Sequence, residues 1–221
     1  MNNLKQKIKK ELDNLCRIFA NESISKDYNF HNFDKSKENL RWDGFKNIAF
    51  TLSKSDYGTL YTQLLLNKDY SFLLMDGGIL QLMYQFHRNE LKKHTLSFYP
   101  NPFVLQYFKV PDEFYELYYS DEIFGDQSTP SNGIVPFRFD FSGVHIDIVH
   151  PITHQTYFGI DECRIPINGP VTPNTFIDYV LRNFYTKQYL NCFGTCGINR
   201  RLKLHDSITA NERNIFHLSI E

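Results

Sequence analysis

Hydrophobic positions recur along this chain with two periods, and the switches between them divide it into segments. Over residues 2–20, Leu4, Ile8, Leu12, Leu15, Cys16 and Phe19 fall on one stripe, the spacing that sets one face of a helix against a core. Lys5, Lys7, Lys9 and Lys10 gather near its start, but Glu11, Asp13 and Glu22 break up the basic face. The stripe therefore predicts core packing and not attachment to a membrane surface. Residues 21–46 form a largely polar run in which Leu40 and Trp42 stand out, and an irregular connection is expected there. NIAFTLS, 47–53, predicts a strand, after which Ser53 or Ser55 would cap a short helix reaching about Asn67. A meander follows: SFLLM, the turn Asp76-Gly77-Gly78, ILQLMYQFH, the turn Arg88-Asn89-Glu90, and LKKHTLSFYP, with Pro100 and Pro102 ending the sheet run.

The next alternating stretch is VPFRFDFSGVHIDIVHPITHQTYFGIDECRIPI, residues 135–167. Side chains alternate faces along a strand, so Phe137, Phe139 and Phe141 share one face while Arg138 and Asp140 share the other. Beyond Ser142-Gly143, Val144, Ile146 and Ile148 alternate with His145 and Asp147. A hairpin through that Gly-containing turn would set the three phenylalanines opposite the three aliphatic residues. The same register predicts Asp140 opposite His145 and Arg138 opposite Asp147. QTYFGI and CRIPI continue as strands. Thr172 and Pro173 then supply an N-cap and first position for a helix over 173–187, with Phe176, Val180, Leu181 and Phe184 as its buried stripe. Residues 191–221 read as a basic turn and a last edge strand, IFHLSI.

Together these segments predict an α+β fold, a twisted antiparallel sheet with the N-terminal helix and a C-terminal helix packed on it, in one domain spanning 1–221. The 20 Phe and 14 Tyr suit a sheet with large buried rings. A net charge of −1 gives no general attraction to nucleic acid or membrane, so such contacts would rest on local patches. No apolar run approaches a membrane span or a signal core. Four cysteines without secretory context suit reduced thiols and a cytoplasmic location, with Cys192 and Cys196 serving packing.

Candidate chemistry concentrates in the 135–167 stretch. Arg138, Asp140, His145, Asp147, His150, His154 and Arg164 are the candidate catalytic residues. A carboxylate bonded to an imidazole fixes its tautomer and raises its basicity, and an arginine beside it can hold a phosphate or stabilise a developing oxyanion. On the predicted register His145, held by Asp140, would abstract a proton, His150 or His154 would donate one, and Arg138 and Arg164 would stabilise the phosphorane. The same imidazoles and carboxylates suit a divalent metal ion, although HPITH matches no zinc signature and metal dependence stays open. Equally, the set would serve as cross-strand pairs that only stabilise a hairpin. Lys92 and Lys93, with His94, form one small basic patch, and Arg200, Arg201 and Lys203 form a second; both are candidate nucleic-acid contacts, and solvated edges otherwise. The acidic, tyrosine-rich segment 111–133 predicts a loop that repels phosphate, and no Gly-rich phosphate loop is present.

The order of MDGGILQLMYQF, HTLSFYPNPF, PFRFDF, HPITH with GIDECRIPI, and GPVTPNTFIDYVLRNFY resembles the bacterial family catalogued as domain of unknown function 2290. The likeness spans roughly residues 47–190. It implies a place in anti-phage defence loci, in one arrangement beside a DNA helicase. The family pattern of Arg-x-Asp and paired histidines corresponds to Arg138, Asp140, His150 and His154. The resemblance supplies the setting and no reaction; the acid, base and cation converging on one sheet face add the expectation of a nuclease-like effector acting on nucleic acid with a helicase partner. The alternative is a non-catalytic sensor or adaptor that binds a helicase or a phage component.

Overall fold

The structure, a computed structural model, describes residues 3–51, 55–102, 135–192, 198, 202 and 204–220. Helix α1 (Leu4–Asn21) starts where Asn3 accepts the Gln6 N–H on its side chain. Strands β1 (Ser25–Tyr28), β2 (His31–Phe33) and β3 (Asn39–Trp42) follow, then helices α2 (Ile48–Thr51) and α3 (Tyr57–Leu66). Next come strands β4 (Phe72–Leu74), β5 (Ile79–His87), β6 (Glu90–Tyr99), β7 (Phe137–Phe141), β8 (Thr153–Tyr157) and β9 (Ile160–Pro166). Helices α4 (Pro173–Phe184), α5 (Thr186–Cys192) and α6 (Ala210–Arg213) complete the described elements. Nine antiparallel strands make one open sheet in the order β1-β4-β5-β6-β7-β8-β9, with β3 beside the later part of β5 and β2 beyond β3. The α+β architecture predicted from the patterning is the one observed. Among the described residues no helix is long and apolar enough to cross a membrane.

The period of two sorts each central strand into a core side and an opposite side. Leu80, Leu82, Tyr84 and Phe86 of β5, Leu96 and Phe98 of β6, and Phe137 and Phe139 of β7 are all buried in one cluster. That cluster also takes in Ile8, Leu12, Leu15 and Phe19 of α1 and Phe176, Ile177, Val180 and Leu181 of α4, the two stripes that the helical spacing picks out. Helix α4 begins as expected, with Thr172 as N-cap and Pro173 at its first position. Its lead-in is pinned to the sheet through both backbone groups of one residue: Tyr84 donates to the Val171 carbonyl (3.1 Å), and the Val171 N–H donates to Nε2 of His94 (2.9 Å). Across the sheet, α3 lays Tyr57, Leu60, Tyr61 and Leu64 over Leu73, Ile79 and Tyr99.

Three local expectations are corrected. Residues 21–46 are no irregular connection, because they supply β1 to β3. Their polar side chains build the turns, as when the Asp34 carboxylate accepts hydrogen bonds from Ser36, Glu38 and Asn39. In the 47–53 segment the described residues, 47–51, hold helix α2 in place of the expected strand. Asn47 stands at φ 59°, and the buried carboxylate of Asp69 accepts the Ile48 N–H as well as those of Lys46 and the Trp42 indole. Asp56, not a serine, caps α3. At the C-terminal end IFHLSI contributes a single parallel bridge, Leu218 to Ile167, instead of an edge strand. The 111–133 segment lies outside the described residues.

Two histidines are wholly buried. His31 bonds Ser71 Oγ at 2.9 Å, and His94 bonds the Phe139 carbonyl as well as Val171. Burial holds both rings down to a pKa of about 3. They stay neutral in the fold while the unfolded chain protonates them near 6.5, so the stability they contribute is complete above pH 6.5. It is lost as pH falls toward 3, on the order of 1.4 kcal/mol per histidine per pH unit. Denaturant unfolding should therefore show a midpoint that drops from pH 7 to pH 5, and the drop should shrink in the His94→Gln variant. A flat midpoint across that range would contradict the assignment.

Candidate functional site

With Phe137 and Phe139 committed to the core, Arg138 and Asp140 have to project from the opposite face. The register lines up Gln81, Ser97, Arg138 and Thr156 as one row across β5 to β8 on that face. Met83, Thr95, Asp140, His154 and Pro166 form the next row, reaching β9. Asp140 thus faces His154, not His145, and Arg138 faces Thr156, not Asp147. The predicted hairpin fails because β7 is an interior strand: β6 takes one edge and β8 the other. Strand β8 turns directly into β9 through Gly159 at φ 77°, so it is held on both sides. Residues 144–149 have no second neighbour and leave the sheet. Their only described pairing is an isolated bridge between Ile146 and His150, with Ile148 at φ 66°. Val144, Ile146 and Ile148, expected opposite the phenylalanines, are exposed.

The second row carries a connected polar group. Asp140 accepts from Thr95 Oγ1 at 3.2 Å through one oxygen and from Arg138 Nε through the other. The Nδ1–H of His154 donates to the Pro151 carbonyl at 2.7 Å, which leaves Nε2 as the ring's acceptor. His150 meets the His154 ring nearly edge-on, centroids 4.8 Å apart. Burial lowers the His154 pKa first of all. The Pro151 carbonyl and the Asp140 charge pull it back up, and His150 and Arg164 push it down again. Its lowered pKa keeps His154 neutral at pH 7, a proton acceptor with the Asp140 carboxylate and Arg164 as charged neighbours. Arg138 forms the outer rim, its side chain 52% exposed, while that of Asp140 is 14% exposed and His154 lies beneath at 3%. Nδ1 of His150 and Nε of Arg164 are buried without a hydrogen-bond partner, a condition that costs about 1–3 kcal/mol per group.

His145 and Asp147 belong to another cluster. Their ligand atoms and those of Glu212 lie within 4.8 Å of one another, without His150 or His154. The imidazoles and carboxylates considered as metal ligands from the sequence, Asp140, His145, Asp147, His150 and His154, are therefore divided between two places. Asp147 accepts from Thr209 Oγ1 and Asn211 Nδ2, each at 2.6 Å, and these bonds hold its carboxyl below the usual range. Glu212 accepts the Thr209 N–H in a reciprocal capping box and faces His145 Nε2 at 3.3 Å. With every carboxylate oxygen engaged by the protein, the trio ties the 143–150 excursion to α6 and is poorly prepared for a cation. Glu212 was not singled out from the sequence, although Thr209-Ala210-Asn211-Glu212 carries the capping-box signature.

Of the basic candidates, Lys92 is exposed and pairs with Glu90 at 2.7 Å. Lys93 is exposed and shares the face of Thr95, two residues away on β6, so it extends the cationic rim. His94 is no part of that patch, being buried against the core. Arg200, Arg201 and Lys203 lie outside the described residues. Thr95, which anchors Asp140, became visible as a site residue only through the β6–β7 register.

Over residues 24–220 the chain matches the model of a family described as "Uncharacterized conserved protein (DUF2290)". No curated protein and no solved structure matches it. The matched span is longer than the roughly 47–190 expected from motifs, and takes in β1 to β3 as well as Thr209 and Glu212. With every strand of the described sheet and both polar clusters inside that span, the chain belongs to the DUF2290 family.

Proposed function

We propose that this protein is a nuclease-like effector acting on nucleic-acid phosphodiesters, within an anti-phage defence system and beside a helicase, the setting that the family resemblance implies. The observation that carries the chemistry is the row Thr95–Asp140–His154, with His150 in ring contact and Arg138 at its rim. His154, not His145, is the general base, through the Nε2 lone pair left open by its bond to Pro151. His150 is the second proton carrier. Arg138 grips the phosphate at the accessible edge, and Arg164 stabilises charge developing on the phosphorane. Asp140 is a positioning residue that orients the Arg138 guanidinium and supports the basicity of His154. Lys93 adds a backbone contact along the same face.

A sensor or adaptor that binds the helicase is the second reading. It draws on the exposed aliphatic run Val144, Ile146, Ile148 and Val149, each 47–63% exposed. In that case Ile148→Asp would abolish helicase binding, whereas changes at Asp140 and His154 would leave it intact.

Purified protein, alone and with its helicase, should cut labelled RNA or DNA, and His154→Gln and Asp140→Asn should each lower the rate by roughly 100-fold or more. Equal rates in the three proteins would remove the assignment. His145→Gln and Asp147→Asn should keep the activity, since their cluster ties down α6 and is remote in role from the phosphate. Thr209→Ala should act on the same tie and lower stability by about 1 kcal/mol, read as a thermal midpoint lower by roughly 2–4 °C.

A further inference from the structure

We infer, resting on the nuclease reading above, that the substrate is RNA and that the attacking group is the ribose 2′-hydroxyl next to the scissile phosphate. The donor set points there. The carboxylate at the centre of the site, Asp140, already accepts from Thr95 and Arg138 through its two oxygens. Arg138 pairs with it, Arg164 acts on the neighbouring His154, and Lys93 lies further along the same strand face, a set of cations that favours a phosphate over a divalent metal ion. What the site offers is one imidazole held as an acceptor, a second imidazole in contact with it, and guanidinium groups.

Such a set is weak for driving a free water against a DNA diester. It suffices where the nucleophile is already attached to the substrate, because an oriented intramolecular group has an effective molarity of roughly 10⁵–10⁸ M. Burial, which lowers the His154 pKa, also keeps that ring unprotonated and ready at neutral pH. The step balances within the site. His154 Nε2 takes the 2′-hydroxyl proton, and the 2′-oxygen bonds to phosphorus. The bond from phosphorus to the 5′-oxygen breaks, and that leaving oxygen takes a proton from the His150 imidazolium. The products are a 2′,3′-cyclic phosphate and a free 5′-hydroxyl. Proton exchange with water resets the two rings, and no oxidant or reductant takes part.

The test presents the full-length protein with one labelled oligonucleotide sequence in three forms: RNA, DNA and fully 2′-O-methylated RNA. His154→Gln, purified identically, serves as the control for contaminating nucleases. The expected result is cleavage of RNA alone, with the other two forms cut more than about 1,000-fold more slowly, and mass spectrometry showing a cyclic phosphate end. Comparable cleavage of DNA, or RNA products carrying a 5′-phosphate, overturns the 2′-hydroxyl inference and leaves the nuclease assignment standing. Cleavage of none of the three, with or without the helicase, overturns both. Cleavage of RNA by His154→Gln at the parent rate likewise overturns both.

Discussion

The alternation along Phe137–Phe141 is the constraint on which the site depends. Strand β7 is paired on both edges, and its core face is filled by rings: Phe137 and Phe139 lie 6.3 and 5.5 Å from Phe176, and Phe139 lies 5.1 Å from Tyr179. A one-residue slip would drive Arg138 and Asp140 into that aromatic layer and bring two phenylalanines out of it. The loss would combine several kcal/mol of ring burial with the far larger cost of an apolar environment for two charges. Core packing therefore decides that the guanidinium and carboxylate emerge together, on the side away from α1 and α4.

The histidines illustrate how position in the sheet assigns different work to one side chain. His94 shares β6 with Thr95 but points the other way, into the core, where its ring joins the Phe139 carbonyl to the Val171 N–H and so sets where α4 begins. His31 is buried with Ser71 and Trp42. Each has lost its proton to desolvation, and neither lies on the polar face. His154 is lowered by burial too, yet it has a carboxylate, an arginine and a second imidazole as electrostatic neighbours. Its electrostatic neighbours, more than its own burial, separate it from the structural pair.

Helices α1 and α4 were legible because each has a local signal and a long stripe, from Asn3 and Thr172 onward. The β5–β6 meander was equally legible from its turn and its alternation. Strands β1 to β3 were not, since they are three or four residues long and owe their order to partners such as Leu74, Gln85 and Tyr84. Helix α2 is not legible because NIAFTLS has the composition of a strand, while the carboxylate that accepts its Ile48 N–H, Asp69, lies 21 residues downstream. In the site, Arg138 and Asp140 share one face as their alternation requires, but the histidine nearest to Asp140 in sequence is not the one nearest in the sheet. His145 instead reaches Glu212, 67 positions away.

Local covalent geometry accounts for what the chain determines unaided. A strand has a period of two and a helix one of 3.6, so which side chains share a face, where helices start, and the division into core and polar surfaces are written in neighbouring residues. The choice of neighbour for each strand is settled elsewhere, by whether a segment can be held on both edges and still cover the core. Thr153–Tyr157 meets that condition and the more apolar Val144–Val149 does not, and this selection brought His154 to Asp140 and sent His145 to α6.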